Sequence, residues 1–518
     1  MNTLIVRLWD KELGRLVQDP EKNLIYFMFN PTVIERPDVA PLTNPKGQWN
    51  PNLPVYGSSG MLYQGLPPFI ADSLPDSWGN RLFDQWVKKN RISRHRITPL
   101  YKLMFIGKRG MGALEFEPAA RELEHSQRVD LNALYSLSLD IIADRQNITL
   151  NSSDGLTLQT LLAVGTSAGG RQMKAVIAIN PETGEIRSGQ TECPAEYEYY
   201  IVKFGEPDIP LAEIEMACYE MAIDAGIDME KSSLFSVEGT AHFLTRRFDR
   251  KKGKKIHIQT LAALNPAATS YEDLIDTCRR LNLSENEVRE IFRRMVFNVM
   301  INNTDDHNKN FSFLLEENNE WHIAPAYDMT FIFNRYATGP QAERCMSLYG
   351  KTADITSADL TEFAKDNGIQ NPGAIIIKVA RALTKFPQLA DKYAIPPKWR
   401  HIIQTTLHEN LTRFGFMSPT FQTLPRHDTY GRTIRDLTVT VNTKGLFELS
   451  LFLDGKKRRK FFRPDTEQGH IIAAYNLNKA TAQSLIHLIE VAFPPENSDK
   501  SDNSDKSDNS DKSDETLV

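Results

Sequence analysis

Apolar residues return at helical spacing at Val288, Ile291, Phe292, Met295, Val296, Val299 and Met300, all on one face. Just upstream, Ser284 and Glu287 have the spacing of a capping box, so the pattern predicts a helix that starts after Ser284 and ends near Ile301. Residues 311–315 and 321–324 then read as two short strands, joined by a turn at 316–320. Earlier in the chain, residues 173–179 and 199–204 are apolar, β-branched runs with strand character, and 214–222 has a helical pattern. Two alternating runs, 437–441 and 446–451, and a helical pattern at 479–491 predict a small α+β module near the end.

The polar interruption after the long helix carries the chemistry. It reads Asn302-Asn303-Thr304-Asp305-Asp306-His307-Asn308-Lys309-Asn310, and Asp328 follows within Tyr327-Asp328-Met329. Phosphoryl transfer needs one carboxylate to orient a hydroxyl nucleophile, and an Asn and a second Asp to hold magnesium on nucleotide phosphates. Asp305, Asn310 and Asp328 supply that set, delivered from a rigid helix. The plainer readings are a solvated loop or a calcium loop, with Asp306, Asn308, Asn310 and Glu317 at positions one, three, five and twelve. Position six of a calcium loop wants Gly for its sharp turn, and Phe311 stands there, so calcium does not fit.

A phosphoryl-transfer enzyme also needs groups that grip phosphates. Gly165-Thr166-Ser167-Ala168-Gly169-Gly170-Arg171-Gln172-Met173-Lys174 is the Gly-rich loop that leads straight into a strand, and glycine lets backbone N–H groups approach phosphate oxygens. As a pattern it is weak, and a flexible hairpin entry would look the same. Lys203 lies inside the apolar run Tyr199-Tyr200-Ile201-Val202-Lys203-Phe204, where an unpaired ammonium would be costly. Glu215, on the following helix, is the expected partner; otherwise Lys203 is an edge-strand lysine facing water.

Together these residues resemble the HipA family of bacterial serine/threonine kinases, the toxin halves of toxin–antitoxin pairs. The spacing Asp-x-His-x-x-Asn at Asp305, His307 and Asn310, followed by Tyr327-Asp328, is its most specific part. The loop is similar too, with Ser167 seven residues before Lys174 and Gly170 between them. His242-Phe243-Leu244-Thr245-Arg246-Arg247-Phe248-Asp249-Arg250 looks like the family segment that links two lobes around an adenine, and Gly112-Ala113-Leu114-Glu115-Phe116 like the close of its N-terminal domain. Arg246 stands where many relatives carry an acid, and Ile256-His257-Ile258-Gln259-Thr260 departs from the commoner His-x-Glu-Asp form.

The resemblance implies an α+β, two-lobed protein-kinase-like fold, with an N-terminal α/β domain at residues 1–118, a β-rich small lobe at 119–245 and a helical large lobe at 246–418. Residues 419–495 form an extra C-terminal α+β module outside that plan, and 496–518 a tail. It implies ATP and magnesium as cofactors, Asp305 as the catalytic residue, and Asn310 and Asp328 as metal ligands. Nucleotide would be bound by Ser167, Ala168, Gly169, Gly170, Arg171, Lys174, Lys203, Arg246, Arg247, Phe248, His307, Asn310 and Asp328, with His307 bracing the loop and Glu215 pairing with Lys203. Ser167 would be an autophosphorylation site that switches the enzyme off. The implied partner is a small helix-turn-helix antitoxin through which DNA is met indirectly, and the implied substrate a protein hydroxyl, an aminoacyl-tRNA synthetase being one candidate. A small-molecule or lipid kinase of phosphoinositide-kinase-like type would share the loop geometry, and a non-catalytic nucleotide-binding protein would share the fold.

Composition narrows the remaining classes. From Asn497 the chain is a Ser-Asp-Lys/Asn repeat with seven acids, three lysines and no apolar residue before Leu517, so disorder is expected there. That tail carries −4 of the net charge of −5, so the folded body is near neutral and has no overall basic field to recruit nucleic acid. The run Lys456-Lys457-Arg458-Arg459-Lys460 is read as a charged, solvated turn between strands of the C-terminal module, with contact to nucleic acid as the alternative. Cys193, Cys218, Cys278 and Cys345 lie too far apart for a zinc or disulfide pattern. The start lacks the apolar core of a signal peptide and no 18-residue apolar run exists, so a cytoplasmic location without membrane contact is expected.

Overall fold

Alternating burial builds the first sheet. Strand β1 (Thr3–Leu8) turns Leu4, Val6 and Leu8 inward and pairs antiparallel with β2 (Lys11–Asp19), which pairs with β3 (Leu24–Phe29). With β4 (Val55–Tyr56) and β5 (Leu114–Glu117) the order is β4-β3-β2-β1-β5, antiparallel throughout. Helix α1 (Ser77–Lys89) begins at an Asp76 cap and α2 (Pro99–Ile106) at a Thr98 cap followed by Pro99. Phe83 and Trp86 of α1 pack on Phe105 of α2 with ring centroids 5.1 and 4.9 Å apart.

This computed structural model describes residues 2–33, 50–120, 128–142, 172–333 and 343–416, except positions 20, 23, 51, 207, 238 and 319, and the backbone of four strands between 426 and 462. Residues 1–416 form one compact unit and 417–518 another.

Within the first unit, helix α3 (Leu131–Ile142) precedes a second antiparallel sheet of β6 (Lys174–Ile179), β7 (Ile186–Ser188), β8 (Glu198–Lys203), β9 (Ser232–Val237) and β10 (Thr240–Arg246), ordered β7-β6-β8-β10-β9. Helix α4 (Leu211–Ala225) is closed by Gly226 at φ 84°, a left-handed cap that glycine adopts freely. This is the small lobe.

A short hairpin of β11 (Arg250–Lys251) and β12 (Lys254–Lys255) leads to the large lobe, where β13 (His257–Thr260), β14 (Ser312–Leu315) and β15 (Trp321–Ile323) make a three-stranded sheet. Its helices are α5 (Tyr271–Arg280), α6 (Glu285–Ile301), α7 (Ser357–Asp366), α8 (Pro372–Leu383), α9 (Phe386–Lys392) and α10 (Pro397–Arg413). Helix α6 is the one the apolar spacing predicts, with both halves of the Ser284/Glu287 capping box formed and Ile291, Phe292, Met295 and Val296 fully buried. The 312–315/321–323 hairpin is also as expected. The first unit is thus an α+β fold with a β-rich lobe and a helical lobe following the N-terminal domain.

The N-terminal domain is tied to the lobes by close packing. A Cβ on Gly112, at φ +71°, would lie 2.8 Å from the backbone nitrogen of Ile258, so only glycine fits there.

In the second unit, β16 (Arg426–His427), β17 (Thr433–Val441), β18 (Phe447–Leu453) and β19 (Lys456–Phe462) form one antiparallel sheet in sequence order. One expectation is corrected here. The basic run at 456–460 is not a turn but the body of β19, paired with β18 from Leu453↔Lys456 to Phe447↔Phe462. The turn signal is the Asp454-Gly455 dipeptide just before it, and long lysine and arginine stems suit an outer strand. The helix expected at 479–491 and the tail lie outside the described residues.

Candidate active site

Two lysines form the small-lobe wall of the cleft. Lys203 ends β8 and is paired directly with Lys174 at the start of β6, which sets both side chains on one face of the sheet. Lys203 Nζ lies 2.5 Å from Glu215 Oε1 on α4 and also bonds the Asp328 carboxylate. Burial opposes the ammonium, but Asp328 and Glu215 outweigh it and hold the Lys203 pKa above the ordinary lysine value. Asp328 shows the reciprocal effect: burial disfavours its charge, yet Lys203 holds its pKa below normal. Burial leaves Glu215 raised despite the same lysine. The expected Glu215 partnership is thus formed, and Asp328 joins it.

The large-lobe wall is the loop after α6. Asn302 closes the helix in the left-handed region at φ 71°, and Asn303 Nδ2 donates to the Asp328 carbonyl at 3.0 Å. That bond helps hold Asp328 at its own φ of 54°. Asp305 is exposed at the loop tip, and its carbonyl accepts from Asn310 Nδ2 at 2.8 Å. With the amide nitrogen so engaged, the Asn310 oxygen is the atom suited to a metal. His307 holds the turn, its Nδ1 accepting from the Lys309 amide at 3.3 Å and its carbonyl from Asn310 N at 2.8 Å. The Tyr327 hydroxyl donates to the Lys309 carbonyl at 2.7 Å and shares a 2.5 Å hydrogen bond with Ser312. Phe248 faces the Tyr327 ring, centroids 6.0 Å apart.

The structure therefore joins Lys203, Glu215 and Asp328 directly, with Lys174 beside Lys203. The Asn303 and Tyr327 hydrogen bonds set the loop that carries Asp305, His307 and Asn310 next to Asp328 and Tyr327. It does not bring Arg247 to these groups. Arg247 is sealed, with Nε and Nη2 on Asp249 at 2.9 and 2.8 Å and Nη1 on the Gly189 carbonyl at 2.8 Å. Asp249 also accepts from Arg250 Nη1 at 2.8 Å and from Gly112 N at 2.7 Å, so the charged side chains of the Arg-Phe-Asp-Arg run tie it to the N-terminal domain. Sealed from solvent and bidentate on Asp249, the Arg247 guanidinium is not presented to a ligand. Arg246 is exposed and lies 3.5 Å from Glu198. Ser167, Ala168, Gly169, Gly170 and Arg171 lie outside the described residues.

Three participants escape the sequence reading. Asp306 is fully buried and accepts from Tyr271 at 2.6 Å, Arg344 at 2.8 Å and the amides of Cys345 and Met346 at 3.1 and 3.2 Å. Asp76 of the N-terminal domain reaches Lys174 at 3.4 Å. Asn303 fixes Asp328 as described. Their motif neighbours gave position, but burial and distant partners are not written in local pattern.

Among the described residues no three His, Cys, Asp or Glu side chains gather as a metal site. The oxygens of Asp328 and Asn310 still fit magnesium, which takes one or two protein ligands and completes its shell with phosphate and water. Among the same residues no helix is long and apolar enough to cross a membrane.

Comparison with known proteins places the chain in a family. The family model of the HipA N-terminal domain matches residues 4–117, and that of the HipA-like C-terminal domain matches 166–406. A Haemophilus influenzae protein named "Putative kinase" is 29% identical over 200 residues, 34% of this chain and 56% of that protein, so the match spans little more than half of the relative. HipA of Shewanella oneidensis MR-1, solved with HipB and operator DNA, shares the fold at TM-score 0.50 and 15% identity, over 79% of this chain and 96% of that one. The two family models, adjacent and in order, together span well over half of the sequence, and the chain belongs to the HipA family.

Proposed function

We propose that this protein is a serine/threonine protein kinase that uses ATP and magnesium and acts as the toxin of a toxin–antitoxin pair. The observation that carries the reading is Lys203 held between Glu215 and Asp328, with Asp305 exposed on the facing loop. Asp305 would orient the acceptor hydroxyl and take up its proton. Lys203 would meet the phosphates, its ammonium aimed by Glu215. Asp328 and Asn310 would present oxygens to the metal, and His307 would keep the loop in shape. Magnesium, when bound, neutralises charge on the phosphates.

The partner would be a HipB-like helix-turn-helix antitoxin, by analogy with the Shewanella complex, and DNA would be met through it. The substrate would be a protein hydroxyl, an aminoacyl-tRNA synthetase by family analogy, in the cytoplasm. Ser167 would be autophosphorylated, since a group adding roughly −1.5 to −2 charges would repel the nucleotide phosphates.

Labelled ATP with magnesium tests both parts. Purified protein should incorporate phosphate, peptide mapping should place it on Ser167, and Asp305→Ala protein should stay unlabelled. Transfer to metabolites with no protein acceptor would favour a small-molecule kinase, and nucleotide binding without transfer a non-catalytic protein.

A further inference from the structure

Lys174 and Lys203 sit side by side across β6 and β8. Like charges so placed destabilise a sheet unless each has a counter-charge. Lys203 has Glu215 and Asp328. Lys174, with 2% of its surface exposed, has the Asp76 carboxylate at 3.4 Å, and that residue comes from the N-terminal domain. Asp76 cannot swing freely, because its other oxygen caps α1 by accepting from the Gly79 amide at 2.5 Å. Two residues on, the Trp78 indole donates to the backbone carbonyl of Lys174 at 2.9 Å. The first turn of one helix thus grips Lys174 at both ends. Burial pushes the Lys174 pKa down, and Asp76 opposes that loss of charge. Burial raises the Asp76 pKa, and Lys174, the Gly79 amide and more weakly Lys309 oppose that rise.

We propose that Asp76 is a positioning residue of the nucleotide site: it holds Lys174 charged and aimed at the β- and γ-phosphates, which makes the N-terminal domain part of that site. The proposal rests on the nucleotide-binding reading above. The plainer role for Asp76 is a helix cap, and the two can be separated. Asn caps helices as well as Asp does, so Asp76→Asn keeps the cap and removes only the charge.

Magnesium-ATP and AMP are titrated calorimetrically into the full-length protein. Asp76→Asn should raise the Kd for ATP about tenfold and leave that for AMP within about twofold, in a protein that is still folded at the titration temperature. Loss of the counter-charge to buried Lys174 lowers its unfolding temperature. In a Lys174→Met background the same change should add less than about twofold. Should Asp76→Asn fold poorly, Asp76→Ser, also a good cap, takes its place. Equal losses for ATP and AMP, an unchanged ratio, or full effect in the Lys174→Met background would overturn the role of Asp76 while leaving the kinase reading standing. Wild-type protein that binds neither nucleotide would remove both.

Discussion

Asp305 and Asp306 are neighbours of one residue type in one loop, and the fold gives them opposite tasks. Asp305 is exposed, with the thiol of Cys345 3.9 Å from its carboxylate. Asp306 is sealed and accepts four hydrogen bonds, two of them from the amides of Cys345 and Met346. One carboxylate is left available for chemistry because the other fastens the loop. The same division separates Arg246, at the surface, from Arg247, inside. A motif identifies residue types, whereas burial and partner count decide which of them react.

The largest expected effects test that division directly. Asp305→Asn should lower phosphate transfer at least about a thousandfold, or roughly 4 kcal/mol of barrier, with unfolding midpoint unchanged. Asp306→Asn should do the reverse in kind. It leaves Arg344 buried without its counter-charge, and removing one partner of such a pair costs about 3–5 kcal/mol. Denaturant unfolding of both variants beside their activity would decide. An Asp306→Asn protein as stable as wild type would erase the contrast, as would an active Asp305→Asn.

Much of the scaffold was legible beforehand, for a physical reason. Helix α6, its capping box and the following hairpin are written in short-range spacing, and Lys203 with Glu215 lies only twelve positions apart. What stayed hidden depends on distant partners. Asp76 meets Lys174 across 98 residues, and Gly112 meets Asp249 across 137. No periodicity reports such pairings. For Arg247 the carboxylate, Asp249, is only two positions away, and what local pattern does not report is that both side chains are sealed from solvent. In β19 the charge run by itself suggests a turn, whereas the turn signal in the sequence is the Asp454-Gly455 dipeptide beside it.

A smaller effect should appear with pH. His257 is buried, neither ring nitrogen makes a hydrogen bond among the described residues, and burial pushes its pKa down to about 3. His242 accepts from the Gly205 amide at 2.8 Å and lies among Tyr135, Phe204 and Phe235, and burial lowers its pKa to about 4. An unfolded histidine takes a proton near pH 6.5. The unfolded state therefore binds more protons below that pH, and stability falls as the pH drops from about 6.5 towards 4. The loss from His257 is on the order of a few kcal/mol, with less from His242. Equilibrium unfolding across that range should show the slope, and His257→Leu should flatten part of it. A flat wild-type profile between pH 6.5 and 4 would mean these rings have access to water.

The smallest effect belongs to the exposed arginine. Arg246 lies 3.5 Å from Glu198, with 45% and 37% of their side chains exposed. Solvent screens a pair this open, and such contacts contribute ~0.2–1 kcal/mol at most. Arg246→Ala should therefore shift stability by less than about 1 kcal/mol, while Arg247→Ala, which strips Asp249 of its bidentate partner, should approach the Asp306 value. If Arg246 nonetheless meets nucleotide, as the family resemblance implies, its loss will show as weaker ATP binding at unchanged stability. Stability and ATP affinity measured together on Arg246→Ala separate the two roles. A stability loss as large as that of Arg247→Ala would break the rule that exposure, rather than residue type, sets the cost.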